Sequence, residues 1–220
     1  MTATIALYVF AVLAVLYWIP IRLWYRRWGV TDSELTGPML GDDQVPSPNY
    51  EAMLAVMIDA RPEFVWPWLV QLGKGRGGLY SYDWLDRLFG YLDGPSATSI
   101  LPEFQRLEAG DVIPIGGASG GFPVTAVDPY HTLVMSGQAG PSRWVWELHL
   151  QAADKHRTRL ISRNRASFPR SIGMRMFLLV LEPAAFIMTR RMLLGIKQRA
   201  EGLARSPVAV PTLLLPHHRV

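Results

Sequence analysis

Hydrophobic positions follow several different rhythms along the chain. The first is unbroken: Met1 to Ile21 carries no charged side chain, and Arg22, Arg26 and Arg27 follow at once. At a rise of 1.5 Å per residue, about 20 apolar residues cover the ~30 Å hydrocarbon layer of a bilayer, so Thr4 to Leu23 is long enough to cross one. Trp18, Trp24 and Tyr25 stand where interfacial rings anchor a span. The start, MTATIALY, lacks the basic region of a cleaved signal peptide. Residues 1–28 are therefore expected to be a retained transmembrane anchor with a basic collar. Because the cations all follow the span, the positive-inside rule puts the remaining chain on the cytoplasmic side of the cell membrane as a single-pass protein.

The pattern then breaks. Residues 29–49 include TDSELTGPMLGDDQVPSPN, rich in Gly, Pro, Ser and Asp, and read as a linker. The apolar run 51–58 suits a strand. Pro62 fits the first position of a helix, where its missing N–H costs nothing, and Phe64, Val65, Trp68, Leu69 and Leu72 recur at helical spacing, with Pro67 shortening or bending the helix. After GKGRGG, the stretch YSYDWLDRLFGYL predicts a second short helix capped by Ser81, with Asp83 in its first turn and Trp84, Leu85, Leu88 and Phe89 along one face. From about 107 the period shortens: DVIPI, FPVTAV, TLVMS, RWVWELHL and RTRLISRN, separated by turn residues, predict an antiparallel meander. The last long run, IGMRMFLLVLEPAAFIMTRRMLLGIKQRAEGLA, predicts a C-terminal helix. Its apolar part, Met176 to Thr189, is too short to cross a bilayer and is interrupted by Glu182 and Pro183, so it is expected in the core; the alternative is contact with the bilayer surface, which the flanking Arg175, Arg190 and Arg191 would suit. Residues 205–220, with three prolines and no periodicity, read as a loose tail.

Composition narrows the function classes. The 220 residues contain no cysteine, which removes disulfide frameworks and thiolate metal sites. The net charge of +4 includes Arg157, Arg159, Arg163, Arg165, Arg170 and Arg175, but no nucleic-acid module accompanies them, and alternating arginines on a strand form a solvated face. Nucleic acid is not an expected partner. The histidines, His131, His149, His156, His217 and His218, lack ligand spacing with acidic partners, so neither a metal nor another cofactor is expected.

The order of one strand, two short helices, an antiparallel sheet and a long last helix suggests a helix-grip domain of the α+β class over 50–204. The segments IDARPEFVWPWLVQLGKGRGGLYSYDWLDRLFG, ILPEFQRLEAGDVIP, WVWELHL, TRLISRNR and EPAAFIMTRRMLLGIKQRAE sharpen this. Over about 50–203 the chain resembles the SRPBCC superfamily, the START, Bet v 1 and polyketide cyclase/dehydrase group. The resemblance implies a hydrophobic small molecule or lipid bound between sheet and helix; some members add cyclase or dehydratase chemistry.

Alternation over Arg143 to Leu150 puts Trp144, Trp146, Leu148 and Leu150 on one face, taken as the cavity side. The tryptophans serve there either as core or as ligand contacts. Arg143, Glu147 and His149 would face out, with Glu147 able to pair with an arginine of the next strand. Tyr80, Tyr82, Asp83, Glu103 and Gln105 are the candidates for acid, base or hydrogen-bonding roles, with Trp84 as an apolar neighbour. Asp83 also suits a first-turn helix acid paired with Arg87. No residue is assigned as catalytic.

Two glycine motifs were weighed. Gly73, Gly75 and Gly78 match GxGxxG, but a helix precedes them and no parallel βαβ unit follows. Gly117 to Gly121 match GxSxG, but a strand rather than a helix comes next, so a hairpin loop is expected. Three functions remain open: an anchored lipid or small-molecule carrier, an anchored cyclase- or dehydratase-like enzyme, and an accessory subunit bound to a membrane-protein partner.

Overall fold

In a computed structural model, residues 2–116 and 120–206 are described; Gly117 to Ser119 of the glycine loop and 207–220 of the expected tail lie outside the described residues. The chain begins with one helix, α1 (Thr2–Arg26), which runs through Pro20. The sheet starts at β1 (Tyr50–Ile58), followed by α3 (Pro62–Val70) and α4 (Asp83–Leu88), with α2 (Asp32–Thr36) preceding it. Next come β2 (Val112–Ile113), β3 (Phe122–Asp128), β4 (Thr132–Ala139), β5 (Ser142–Ala152) and β6 (Thr158–Ser167), and then α5 (Ile172–Arg205). The six strands form one antiparallel sheet in the order β1-β6-β5-β4-β3-β2. This is the expected α+β arrangement, a sheet packed on a long C-terminal helix in the helix-grip manner.

The inner face makes the core. Leu54, Val56 and Ile58 of β1, Leu148 and Leu150 of β5, and Leu160 of β6 join Val65, Trp68 and Leu69 of α3 and Leu193, Ile196 and Ala200 of α5. Pro62 stands at the first turn of α3, and Pro67 lies inside it without ending it. Burial of each large side chain contributes roughly 1.5–3 kcal/mol.

The outer face is covered rather than solvated. Residues 29–49, expected as a linker, fold down over it. Glu34 of α2 caps its own helix through Thr31 and receives both arms of Arg159, at 2.7 and 2.9 Å. Asp42 accepts from Arg163 and Arg165, and Glu51 pairs with Arg163 at 3.0 Å. The alternating arginines are therefore ion-paired cross-links. Glu147 lies opposite Arg163 in register, but its oxygens accept the N–H groups of Gly41, at 3.0 Å, and Leu40, at 3.3 Å. Arg163 itself turns to two other carboxylates, Asp42 of the 29–49 segment and Glu51 of β1. Burial raises the pKa of Glu147, and the Gly41 and Leu40 N–H groups oppose the shift.

Two helices present the opposite side from the one expected. In α4, Trp84, Leu88 and Phe89 are exposed and Asp86 is fully buried. The cause is local. Ser81, expected as the cap, instead donates to Asp86, while Asp83 accepts from the N–H and hydroxyl of Ser96 at 2.9 and 2.6 Å. With both carboxylates bonded inward, the apolar side is left outside, and Arg87 reaches only the Asp83 carbonyl. In α5 the segment Met176 to Thr189 lies largely outside the core: Met176, Phe177, Leu179, Val180, Leu181 and Ile187 are exposed, Glu182 is buried, and Phe186 packs half-buried against the core.

Candidate functional site

The inner face of β5 grades from closed to open. Leu150 and Leu148 are fully buried, whereas Trp146 and Trp144 are half-buried. The register explains which neighbours share each level. Leu148 lies between Ser162 and Leu133, Trp146 between Asn164 and Met135, and Trp144 between Ala166 and Gly137. Tyr50 continues the outermost row beyond Ala166. Gly137 is required in that row: a Cβ there would sit 2.8 Å from the Trp144 ring.

Phe122 of β3 closes the aromatic group. Its ring stands edge-on to Trp144 and Trp146, with centroids 5.4 and 5.1 Å away. Trp146 donates its indole N–H to Ser162 at 2.9 Å, which satisfies its polar atom and fixes the ring. Asn164 adds a half-buried amide on the same face, between the outward Arg163 and Arg165. A partly open apolar surface with a few placed polar groups has the chemistry of a site for an apolar ligand.

This open end is also the end where α1 joins. Arg26 lies 5.0 Å from the centre of the Tyr50 ring and donates to the Glu51 carbonyl at 2.8 Å. Burial, followed by the nearby Glu182 charge, pushes the Tyr50 phenol up to about 12, so it stays neutral. Glu182 accepts two hydrogen bonds from Arg22, both 2.6 Å, and one from Tyr25 at 3.1 Å. The β5–β6 turn lies at the opposite end of the strands.

A second polar group sits between α3 and α5. Tyr80 takes φ 55° and is buried. Its carbonyl approaches α5 where Gly195 leaves room, since a Cβ there would lie 2.2 Å from that oxygen. Gln71 donates to the Tyr80 hydroxyl at 3.0 Å, and its own carbonyl accepts from Gln105 at 3.1 Å and from the Leu101 N–H at 2.9 Å. Arg199 stacks over the Tyr80 ring at 4.7 Å. Burial drives the Tyr80 pKa upward, against the pull of Gln71 and Arg199.

The expected residues thus divide. Trp144, Trp146 and Leu148 share the inner face, and Tyr80 and Gln105 meet through Gln71. Tyr82 is half-buried with Arg191 over its ring at 5.7 Å, while Trp84 and Glu103 are exposed. Phe122, Asn164 and Gln71 were not anticipated. Asn164 could have been found by continuing the alternation through Leu160 and Ser162, and Gln71 by its place in the apolar run LVQLG. The Gly73–Gly78 loop closes on itself through reciprocal backbone bonds of 3.0 Å. Its cations are used internally, Lys74 on the Gly90 carbonyl and Asp93, and Arg76 on the carbonyls of Val70 and Phe104.

No family model and no characterised protein matched the sequence. Solved structures did. The ZhuI aromatase/cyclase from Streptomyces sp. R1128 is 15% identical, with 73% of this chain and 99% of that one covered at a TM-score of 0.45. Protein MLL2253 from Mesorhizobium loti is 17% identical over 70% and 98% of the two chains, TM-score 0.40. CalU16 from Micromonospora echinospora is 14% identical over 71% and 89%, TM-score 0.35. These likenesses concern the course of the chain and assign no chemistry.

Proposed function

We propose that the chain holds a hydrophobic small molecule or lipid on the inner face of its sheet, at the end where α1 is attached, and that α1 anchors it in the cell membrane with the domain on the cytoplasmic side. The observation that carries the reading is the half-buried group of Phe122, Trp144 and Trp146. Fully packed cores bury such rings, which each cover roughly 150–250 Å², whereas these remain partly open beside the Asn164 amide. Leu148 forms the floor of the site. The charge-free start of the chain and the cations that follow it support the anchor and its orientation.

The enzyme reading has less support. Tyr80 is turned into a buried amide network, Asp83 is held by Ser96, and Glu103 faces solvent. Native mass spectrometry of the protein purified from membranes, followed by extraction, tests the proposal. A reproducible bound lipid or apolar metabolite, lost on Trp144→Ala together with Trp146→Ala, is the expected result. A protein that stays empty under gentle release from detergent sinks it.

A further inference from the structure

The helix α5 is 34 residues long, about 51 Å at 1.5 Å per residue, and it spans two environments. Met192, Leu193, Ile196 and Ala200 are buried against the sheet and α3. The first half is inverted. Between Met176 and Thr189 the one charged residue is Glu182, and it is 3% exposed, whereas Val180 is 73% and Met176 59% exposed. Exposed apolar side chains at 176, 177, 179, 180 and 181 cover more than half of the helix circumference, while the remaining side, with Glu182 and Phe186, meets α1. Water does not favour so broad an exposed apolar arc.

Two further observations identify the surroundings. Glu182 is ion-paired with Arg22 and accepts from the Tyr25 hydroxyl of α1, so the carboxylate is shielded while the hydrocarbon faces outward, as a lipid solvent requires. Arg170 and Arg175 precede the segment and Arg190 and Arg191 follow it, which places long, phosphate-seeking cations at both ends. The segment Met176 to Thr189 is ~21 Å long, short of a bilayer's ~30 Å. The neighbouring α4 shows the same inversion, with Asp86 inside and Trp84, Leu88 and Phe89 outside, and its Tyr82 touches Arg191.

We infer that the first half of α5, over Met176 to Ile187, is immersed in the acyl layer of the leaflet that α1 enters, without crossing it, and is pinned to α1 by the Glu182–Arg22–Tyr25 contact. This deepens the proposed function and rests on it for the anchor. The consequence is a route: the open aromatic end of the grip is bedded in acyl chains, so an apolar ligand passes from bilayer to site without entering water.

The natural chain has no cysteine, which makes depth measurement direct. Full-length variants Met176→Cys and Val180→Cys, each labelled with an environment-sensitive fluorophore, are reconstituted in vesicles containing acyl-brominated lipid. Leu13→Cys reports on the anchor, and Lys155→Cys on the far β5–β6 turn. The inference expects a several-fold loss of emission at 176 and 180 and none at 155. Unquenched labels at 176 and 180 with a quenched label at 13 overturn it and leave the anchor standing, including the case in which a second copy or another protein covers the segment. An unquenched label at 13 overturns the anchor reading itself.

Discussion

The two faces of the sheet are both covered, but the outer one adds ion pairs that the inner one lacks. Inside, aliphatic and aromatic side chains from β1, β5, β6, α3 and α5 exclude water without directional bonds. Outside, there are small apolar groups, Met53, Ala55 and Ile161 under Val30, Leu35 and Met39, and Val134 and Val145 under Val45. They are joined by Arg159, Arg163 and Arg165, which hold the 29–49 segment through Glu34 and Asp42, and by Glu147, which receives its backbone N–H groups. The inner face stabilises by area. The outer face fixes one segment in one register, because each charge there has a specific mate and an unpaired one is costly. The difference teaches which face can open for a ligand: an apolar surface tolerates partial exposure at Trp144 and Trp146, whereas the ionic surface loses its purpose once a partner leaves.

Breaking each face in turn sharpens the contrast. Leu148→Ala, at a fully buried position, is expected to lower stability by about 2–5 kcal/mol in denaturant titration. Arg163→Ala should cost less, about 1–2 kcal/mol, because Asp42 and Glu51 are exposed enough for water to take up part of the lost pairing. Limited proteolysis of that variant should cut first within 29–49. Trp144→Ala is expected to cost still less, about 1 kcal/mol, since its side chain is already half in solvent, yet to lose bound ligand if the inner face is the site.

The smallest effect concerns pH. Burial lowers the pKa of His149, which lies on the outer face beside Thr132, with the nearby His131 adding to the shift. A histidine with a depressed folded pKa binds more protons unfolded than folded. Its contribution is therefore full above about 6.5 and lost as pH falls through that value toward the folded pKa. His149→Gln should flatten the stability profile between neutral pH and mild acid.

Strands were legible because period two and turn residues mark them locally, and the last helix because its long run keeps helical spacing. Trp144, Trp146 and Leu148 were placed on one face by that period alone. What escaped depended on distant partners. Asp83 and Asp86 look like a solvent face until Ser81 and Ser96 are seen to bind them, and Glu182 looks like an interruption until Arg22 and Tyr25 meet it. Residues 29–49 have a linker's composition, but their carboxylates match arginines far along the chain. Likewise the first 28 residues do not stand apart from the domain: the Trp28 carbonyl accepts the Ala55 N–H at 3.1 Å, and Arg22 and Tyr25 satisfy a buried carboxylate.

The pairing of β1 with β6 sets the timetable of folding. Tyr50 must wait for Ala166, and Ile58 for Thr158, so the first strand made is completed by the last. Closing so long a loop is slow, and synthesis at about 5–20 residues per second leaves β1 without its mate for several seconds. During that interval β1 is an unpaired apolar strand. The helix α1 is complete before β1 emerges, and its Arg26 bonds the Glu51 carbonyl at the start of that strand, so it is at hand to cover one end of the nascent edge while the edge waits.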